Sequence, residues 1–149
     1  MNSHETTVNL VCSVLAYPLH KIKITLEFGC GEFSTKMFID KSECHYALEL
    51  AGHKETERSF FWYEKIKAKY GDRINIRICD LETALRKLPE IKPELVFVDG
   101  PEWRVECVNE SFKHTQTIIC HDTEEACYGW ERIIVPDGWK QFTRGNEKG

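Results

Sequence analysis

The seven cysteines of this chain include no C-x-x-C pair, and none of them stands in a tight Cys/His cluster. That excludes the common structural zinc sites and the thioredoxin-type redox motif. An odd count, with Cys79 and Cys120 on expected strands, suits reduced thiols packed as small hydrophobes and points to a cytoplasmic protein. Long apolar runs are scarce as well. Val8 to Leu19 is the only stretch that imitates the core of a signal peptide, but the residues before it lack positive charge and carry Glu5. Nothing reaches the roughly 20 apolar residues of a membrane-spanning helix, so no membrane partner is expected. A basic excess is missing too: 20 lysines and arginines against 24 aspartates and glutamates give a net charge of -4 and no general grip on nucleic acid. Repeats, low-complexity tracts and linkers are absent, which predicts a single domain over residues 1–149.

What the sequence does contain is a period that switches along the chain. Val8, Val11 and Leu15 recur at helical spacing before Pro18, predicting an N-terminal helix within residues 1–20. From Lys21 the period is two, with Ile22, Ile24, Leu26 and Phe28 on one face, and the run stops at Gly29-Cys30-Gly31. A short helix over Ser34 to Ile39, a strand over Glu43 to Leu50 and a long helix over Lys54 to Tyr70 follow, with Phe60, Tyr63, Ile66 and Tyr70 expected to pack on the sheet. Arg73 to Cys79 alternates strictly, as a strand with one wet face does near a sheet edge. Leu81 to Leu88 reads as helix. Glu94 to Asp99 is a continuous apolar run closed by an acid, the pattern of a central strand buried on both faces. Helix over Trp103 to His114, strand over Gln116 to Cys120, helix over Glu124 to Ile134 and a strand from Trp139 to Thr143 complete the core, 21–143, ahead of a polar tail, 144–149. Alternation of this kind predicts an α/β fold, a Rossmann-like three-layer α/β/α sandwich with a mostly parallel sheet.

Ligands of such sheets bind beyond the carboxyl ends of the strands. The strand-end residues are Glu27 to Gly31, Glu49, Asp80, Asp99, and His121 with Asp122. The glycines at 29 and 31 follow a strand and precede a helix, the context in which a tight turn lets a ligand approach the backbone. Glu27 discriminates among ligands: a carboxylate there can face the cleft and neutralise an ammonium, whereas a pyrophosphate would avoid it.

Ile24-Thr25-Leu26-Glu27-Phe28-Gly29-Cys30-Gly31 resembles the first motif of class I S-adenosylmethionine-dependent methyltransferases. The continuation Phe33-Ser34-Thr35, in which Phe33 replaces the family's third glycine, is similar to that of small bacterial and phage methyltransferase-like proteins. The resemblance implies that Glu27, Phe28, Gly29, Cys30 and Gly31, with Ser34 and Thr35, cradle the methionine part of the cofactor. It implies Glu49 for the ribose hydroxyls, with Glu55 or Glu57 as the weaker candidates, and Asp80 with Leu81 for the adenine. Asp80 also suits a helix N-cap. Asp99 in Val96-Phe97-Val98-Asp99-Gly100-Pro101 resembles the residue delivered to the methyl-transfer centre, and His121, beside Asp122, is expected as a general base. Arg104 is read as a solvated helix charge. Asp99 and Asp122 are similar in place to the metal ligands of cation-dependent O-methyltransferases, but Thr123 replaces the usual asparagine and a divalent metal is not favoured.

The expected activity is methylation of an unidentified small-molecule or macromolecular acceptor by S-adenosylmethionine, giving S-adenosylhomocysteine. Two alternatives stand beside it. One is an NAD(P)-binding oxidoreductase, because Gly29, Gly31 and Glu49 roughly meet the dinucleotide spacing, although Ser34 stands where its third glycine belongs. The other is a non-catalytic methyltransferase-like binding module. Methyltransferases of this class usually close their sheet with a two-strand hairpin, and the polar residues 144–149 do not supply its last strand. An open edge on the fifth strand is therefore expected, covered in a homodimer or left in a chain shorter than its relatives.

Overall fold

The computed structural model describes residues 22–123 and 125–141. The expected N-terminal helix, the polar tail and the end of the expected last strand lie outside the described residues. Five strands, β1 (Ile22–Phe28), β2 (Ser42–Leu50), β3 (Asn75–Cys79), β4 (Leu95–Val98) and β5 (Thr117–Cys120), form one sheet in the order 3-2-1-4-5. Each neighbouring pair is parallel. Among the described residues four α-helices alternate with them: α1 (Glu32–Lys41), α2 (Thr56–Tyr70), α3 (Leu81–Ile91) and α4 (Arg104–Ser111). The architecture is the Rossmann-like α/β/α sandwich.

Strand alternation sorts the core into two sides. Leu26, Phe28, Leu48, Leu50, Val96 and Val98 point to Ala84, Leu88 and Ile91 of α3 and to Cys107 and Val108 of α4. The residues between them face the other way. Leu95 and Phe97 meet Met37 and Phe38 of α1, and Ala47 meets Ile66 and Tyr70 of α2. All four residues of β4 are fully buried, as the uninterrupted apolar run predicts, and β3 lies at the edge, as its alternation predicts.

Three expectations need correction. On α2 the sheet-facing stripe runs through Ser59, Ile66 and Tyr70, so Phe60 stands about 100° away from it and is 46% exposed. Of the expected helix over Glu124 to Ile134, the described residues 125–134 do not form an α-helix. Two 3₁₀ turns, Ala126–Tyr128 and Trp130–Arg132, are divided by Gly129 at φ 68°, a left-handed break that an α-helix does not pass through. Residues 139–141 carry no strand; Trp139 instead packs its ring on Phe112, with centroids 4.7 Å apart. Among the described residues β5 therefore pairs with β4 alone. No described helix is long and apolar enough to cross a membrane.

Candidate functional site at the carboxyl edge of the sheet

Strand order reverses between β1 and β4, and the turns leaving these two strands pack on each other there. Gly29 has φ 84°, and a Cβ at this position would stand 2.7 Å from both Cα and N of Gly100. Its glycine is demanded by the chain itself. Gly31 differs: its backbone is extended, at φ -159°, and a Cβ would meet only Ser34 Oγ, at an ordinary 3.7 Å. Packing within the protein leaves that position open to a side chain.

The amides of this turn are already engaged. Gly29 N–H donates to the Leu48 carbonyl at 3.0 Å, Cys30 N–H to Glu49 Oε1 at 2.5 Å, and Gly31 N–H to Thr35 Oγ1 at 3.0 Å. Burial pushes the Glu49 carboxyl up to about 7, against the pull of the Cys30 amide and Ser59 hydroxyl. Burial, with Glu49 and Glu27 nearby, also pushes the Cys30 thiol far up, so it is unreactive packing. Glu27 does not present its carboxylate to an open cleft. It is fully buried under α1, where Ser34 Oγ donates to Oε2 at 3.0 Å, the Thr35 hydroxyl donates to Oε1, and His45 Nε2 stands 3.0 Å from Oε1. The alternation that puts Leu26 and Phe28 on one side puts Glu27 on the other.

Asp80 caps α3, accepting the Thr83 amide at 2.7 Å, and this bond holds its carboxyl below the usual range. Glu55 and Glu57 are exposed at the start of α2, Glu55 beside Arg58 at 3.5 Å.

A second cluster gathers at the ends of β4 and β5. His121 Nδ1 lies 3.1 Å from Asp99 Oδ1 and 2.8 Å from Asp122 Oδ1. Burial works against protonation of His121, but the hydrogen bond and charge of Asp99, with Asp122 behind them, outweigh it and raise its pKa. The two carboxylates thus favour the protonated form of this imidazole. Arg104 is not a solvated charge: it is 4% exposed, donates to the Gly100 and His121 carbonyls, and stands 3.5 Å from Asp99 and 3.7 Å from Asp122. The Tyr128 ring covers its guanidinium at 3.7 Å, and Trp130 Nε1 donates to the Asp122 carbonyl. Ligand atoms of Asp99, His121 and Asp122 lie within 4.8 Å of one another, a spacing open to a divalent cation. Both carboxylates nevertheless have their charge met by Arg104 and His121, and Thr123 is exposed, so the donor set fits a metal poorly.

Sequence reasoning missed Trp103, whose left-handed φ of 56° is uncommon for a bulky residue. Its ring meets that of His53 edge-on at 5.3 Å, so the segment after β4 reaches the segment after β2 across the end of β1. A cleft of about 320 Å³ opens alongside, lined by Glu55, Trp103, Tyr128 and Arg132 among others; no β1-turn residue lines it.

Fold and strand-end groups together define a Rossmann-like α/β protein whose candidate site lies at the switch point of the sheet. No protein-family model matches the chain, and no curated protein does either.

Proposed function

We propose that this protein is an S-adenosylmethionine-dependent methyltransferase. One observation carries the reading: the Cys30 and Gly31 amides, which a pyrophosphate would need at this helix start, are spent on Glu49 and Thr35. A turn with a buried carboxylate bonded to its amide suits a ligand without phosphate. The same strand order also serves dinucleotide folds, so NAD is the reading to defeat.

In this assignment Gly29 to Gly31 pass beside the methionine part, Glu49 serves the ribose hydroxyls, and Asp80 with Leu81 borders the adenine. Open space at the Gly31 Cα is what such a close backbone approach requires. When bound, S-adenosylmethionine supplies an electrophilic methyl group. Asp99, 19% exposed at the end of β4, orients the acceptor and takes a hydrogen bond from it, while Arg104 fixes the Asp99 carboxylate. His121, paired with Asp99 and Asp122, is the candidate general base and takes a proton from the acceptor only after it has given up its own.

A thermal-shift series tests the reading. S-adenosylhomocysteine at millimolar concentration is expected to raise the midpoint, because a ligand that binds only the folded state stabilises it, whereas NAD leaves it unchanged. A shift with NAD and none with S-adenosylhomocysteine would replace the methyltransferase by an oxidoreductase.

A further inference from the structure

Under α1 the sheet carries a file of buried polar side chains. Thr25 and Glu27 point there from β1, and the strand register sets His45 of β2 beside Thr25. Thr25, Glu27, Ser42 and His45 are all buried, the most exposed at 4%. Phe38 of α1 stacks on the imidazole, with centroids 5.4 Å apart and an interplanar angle of 20°. With the file buried, its protons follow from the donors and acceptors that face one another.

The Phe38 carbonyl can only accept, so the Ser42 hydroxyl donates to it, at 2.5 Å. With that proton spent, Ser42 Oγ accepts from the Thr25 hydroxyl at 2.9 Å. Thr25 Oγ1 then accepts in its turn, and its partner at 2.8 Å is His45 Nδ1, which must carry a proton. At the other edge of the ring, Nε2 stands 3.0 Å from Glu27 Oε1. That oxygen already accepts the Thr35 hydroxyl, and Oε2 accepts Ser34 at 3.0 Å. Two accepted hydroxyl bonds favour the ionised carboxylate, which puts the proton of the Nε2 contact on the imidazole.

We propose that His45 is a positioning residue: a buried imidazolium that neutralises Glu27 and, through Thr35, fixes the Gly31 amide at the ligand turn. The ligand part rests on the function proposed above; the charge on His45 does not. Gly31 N–H is held by Thr35 Oγ1, and the Thr35 hydroxyl is held by Glu27, so the direction of this amide depends on where the Glu27 carboxylate sits. The charge of Glu27 is met from inside the protein, and the turn meets its ligand as a shaped neutral surface. A neutral residue at position 45 strands a buried carboxylate, and Glu27 must then move or take up a proton.

Two measurements on the full chain decide this. In a long-range ¹⁵N–¹H spectrum both ring nitrogens of His45 should appear protonated, with the signals assigned by their loss in His45→Gln. A bare ring nitrogen overturns the proposal. His45→Gln should also lower the unfolding midpoint and weaken S-adenosylhomocysteine binding about tenfold, while Glu27→Gln/His45→Gln, which removes both charges, recovers part of each loss. Wild-type behaviour of His45→Gln, or losses that simply add in the double variant, overturns it. If the wild type fails to bind S-adenosylhomocysteine, the functional reading falls alone, and the nitrogen spectrum with the stability cycle decides on His45. Should His45→Gln not fold, a folded double variant supports the pair and an unfolded one refutes it.

Discussion

Two glycines two positions apart answer to different constraints, and this separates folding from binding at the turn after β1. At Gly29 both the positive φ and the 2.7 Å approach to Gly100 forbid a side chain. Gly29→Ala is expected to cost more than about 2 kcal/mol in urea unfolding. Gly31→Val should stay within about 1 kcal/mol of the wild type, because its Cβ meets nothing closer than 3.7 Å, yet lose S-adenosylhomocysteine binding in calorimetry. Glu49 carries a signed expectation. Its carboxyl is raised from 4.5 to about 7 by burial, so the unfolded chain ionises it first as pH rises. The stability this group contributes is whole below about 4.5 and is lost as pH climbs through about 7. Glu49→Gln should therefore be more stable than the wild type near pH 8, on the order of 2 kcal/mol, and lose that advantage near pH 4. It should bind the cofactor less well at both. An unfolding series that gave the same difference at both pH values would contradict the assignment. Single residues of this kind were half legible. Glycine spacing marked the turn, but nothing in the sequence said which glycine the fold needs, since that depends on Gly100, about 70 positions away.

Elements were more legible than their packing. Alternation found β1 and β3 and the apolar run found β4, because side-chain period reports which faces are wet. Arg104 shows where this stops. A lone arginine in the first turn of a helix looks solvated until β5 arrives beside β4 and brings Asp122 to it, and that pairing is long-range. Arg104→Met should cost about 3–5 kcal/mol, because it leaves Asp99 and Asp122 without their buried cation. His121 in the same cluster titrates with the same sense as Glu49, in a higher pH window. Its pKa is raised, so its contribution is complete below the ordinary value of 6.5 and disappears as pH rises through the higher folded value. The gap in unfolding midpoint between wild type and His121→Gln should accordingly narrow from pH 6 to pH 9; a gap that widens would mean that the carboxylates do not govern this histidine. The region after β5 was misread for a related reason. Its apolar residues mimic a helical period, while its polar groups are spent on α4, as where Asn109 Oδ1 accepts the Ile134 amide at 3.1 Å.

For the whole molecule, the order 3-2-1-4-5 brings Glu27, Glu49, Asp99, His121 and Asp122 to one edge although they span nearly 100 positions of sequence. Their gathering was predictable, because each ends a strand of a parallel sheet. The separation of Glu27 from Asp99, His121 and Asp122 was not. Glu27 with His45 lies under α1, and Asp99 with His121, Asp122 and Arg104 lies at the ends of β4 and β5. On the reading proposed here, a turn whose Cys30 and Gly31 amides are already engaged takes a cofactor without phosphate in preference to a pyrophosphate. Calorimetric titration of the wild-type protein with S-adenosylhomocysteine and with NAD, each beside Gly31→Val, tests this most directly. The account predicts saturable binding of S-adenosylhomocysteine, abolished by the valine, and no heat from NAD. Saturable NAD binding that the valine abolishes, with none for S-adenosylhomocysteine, would contradict it.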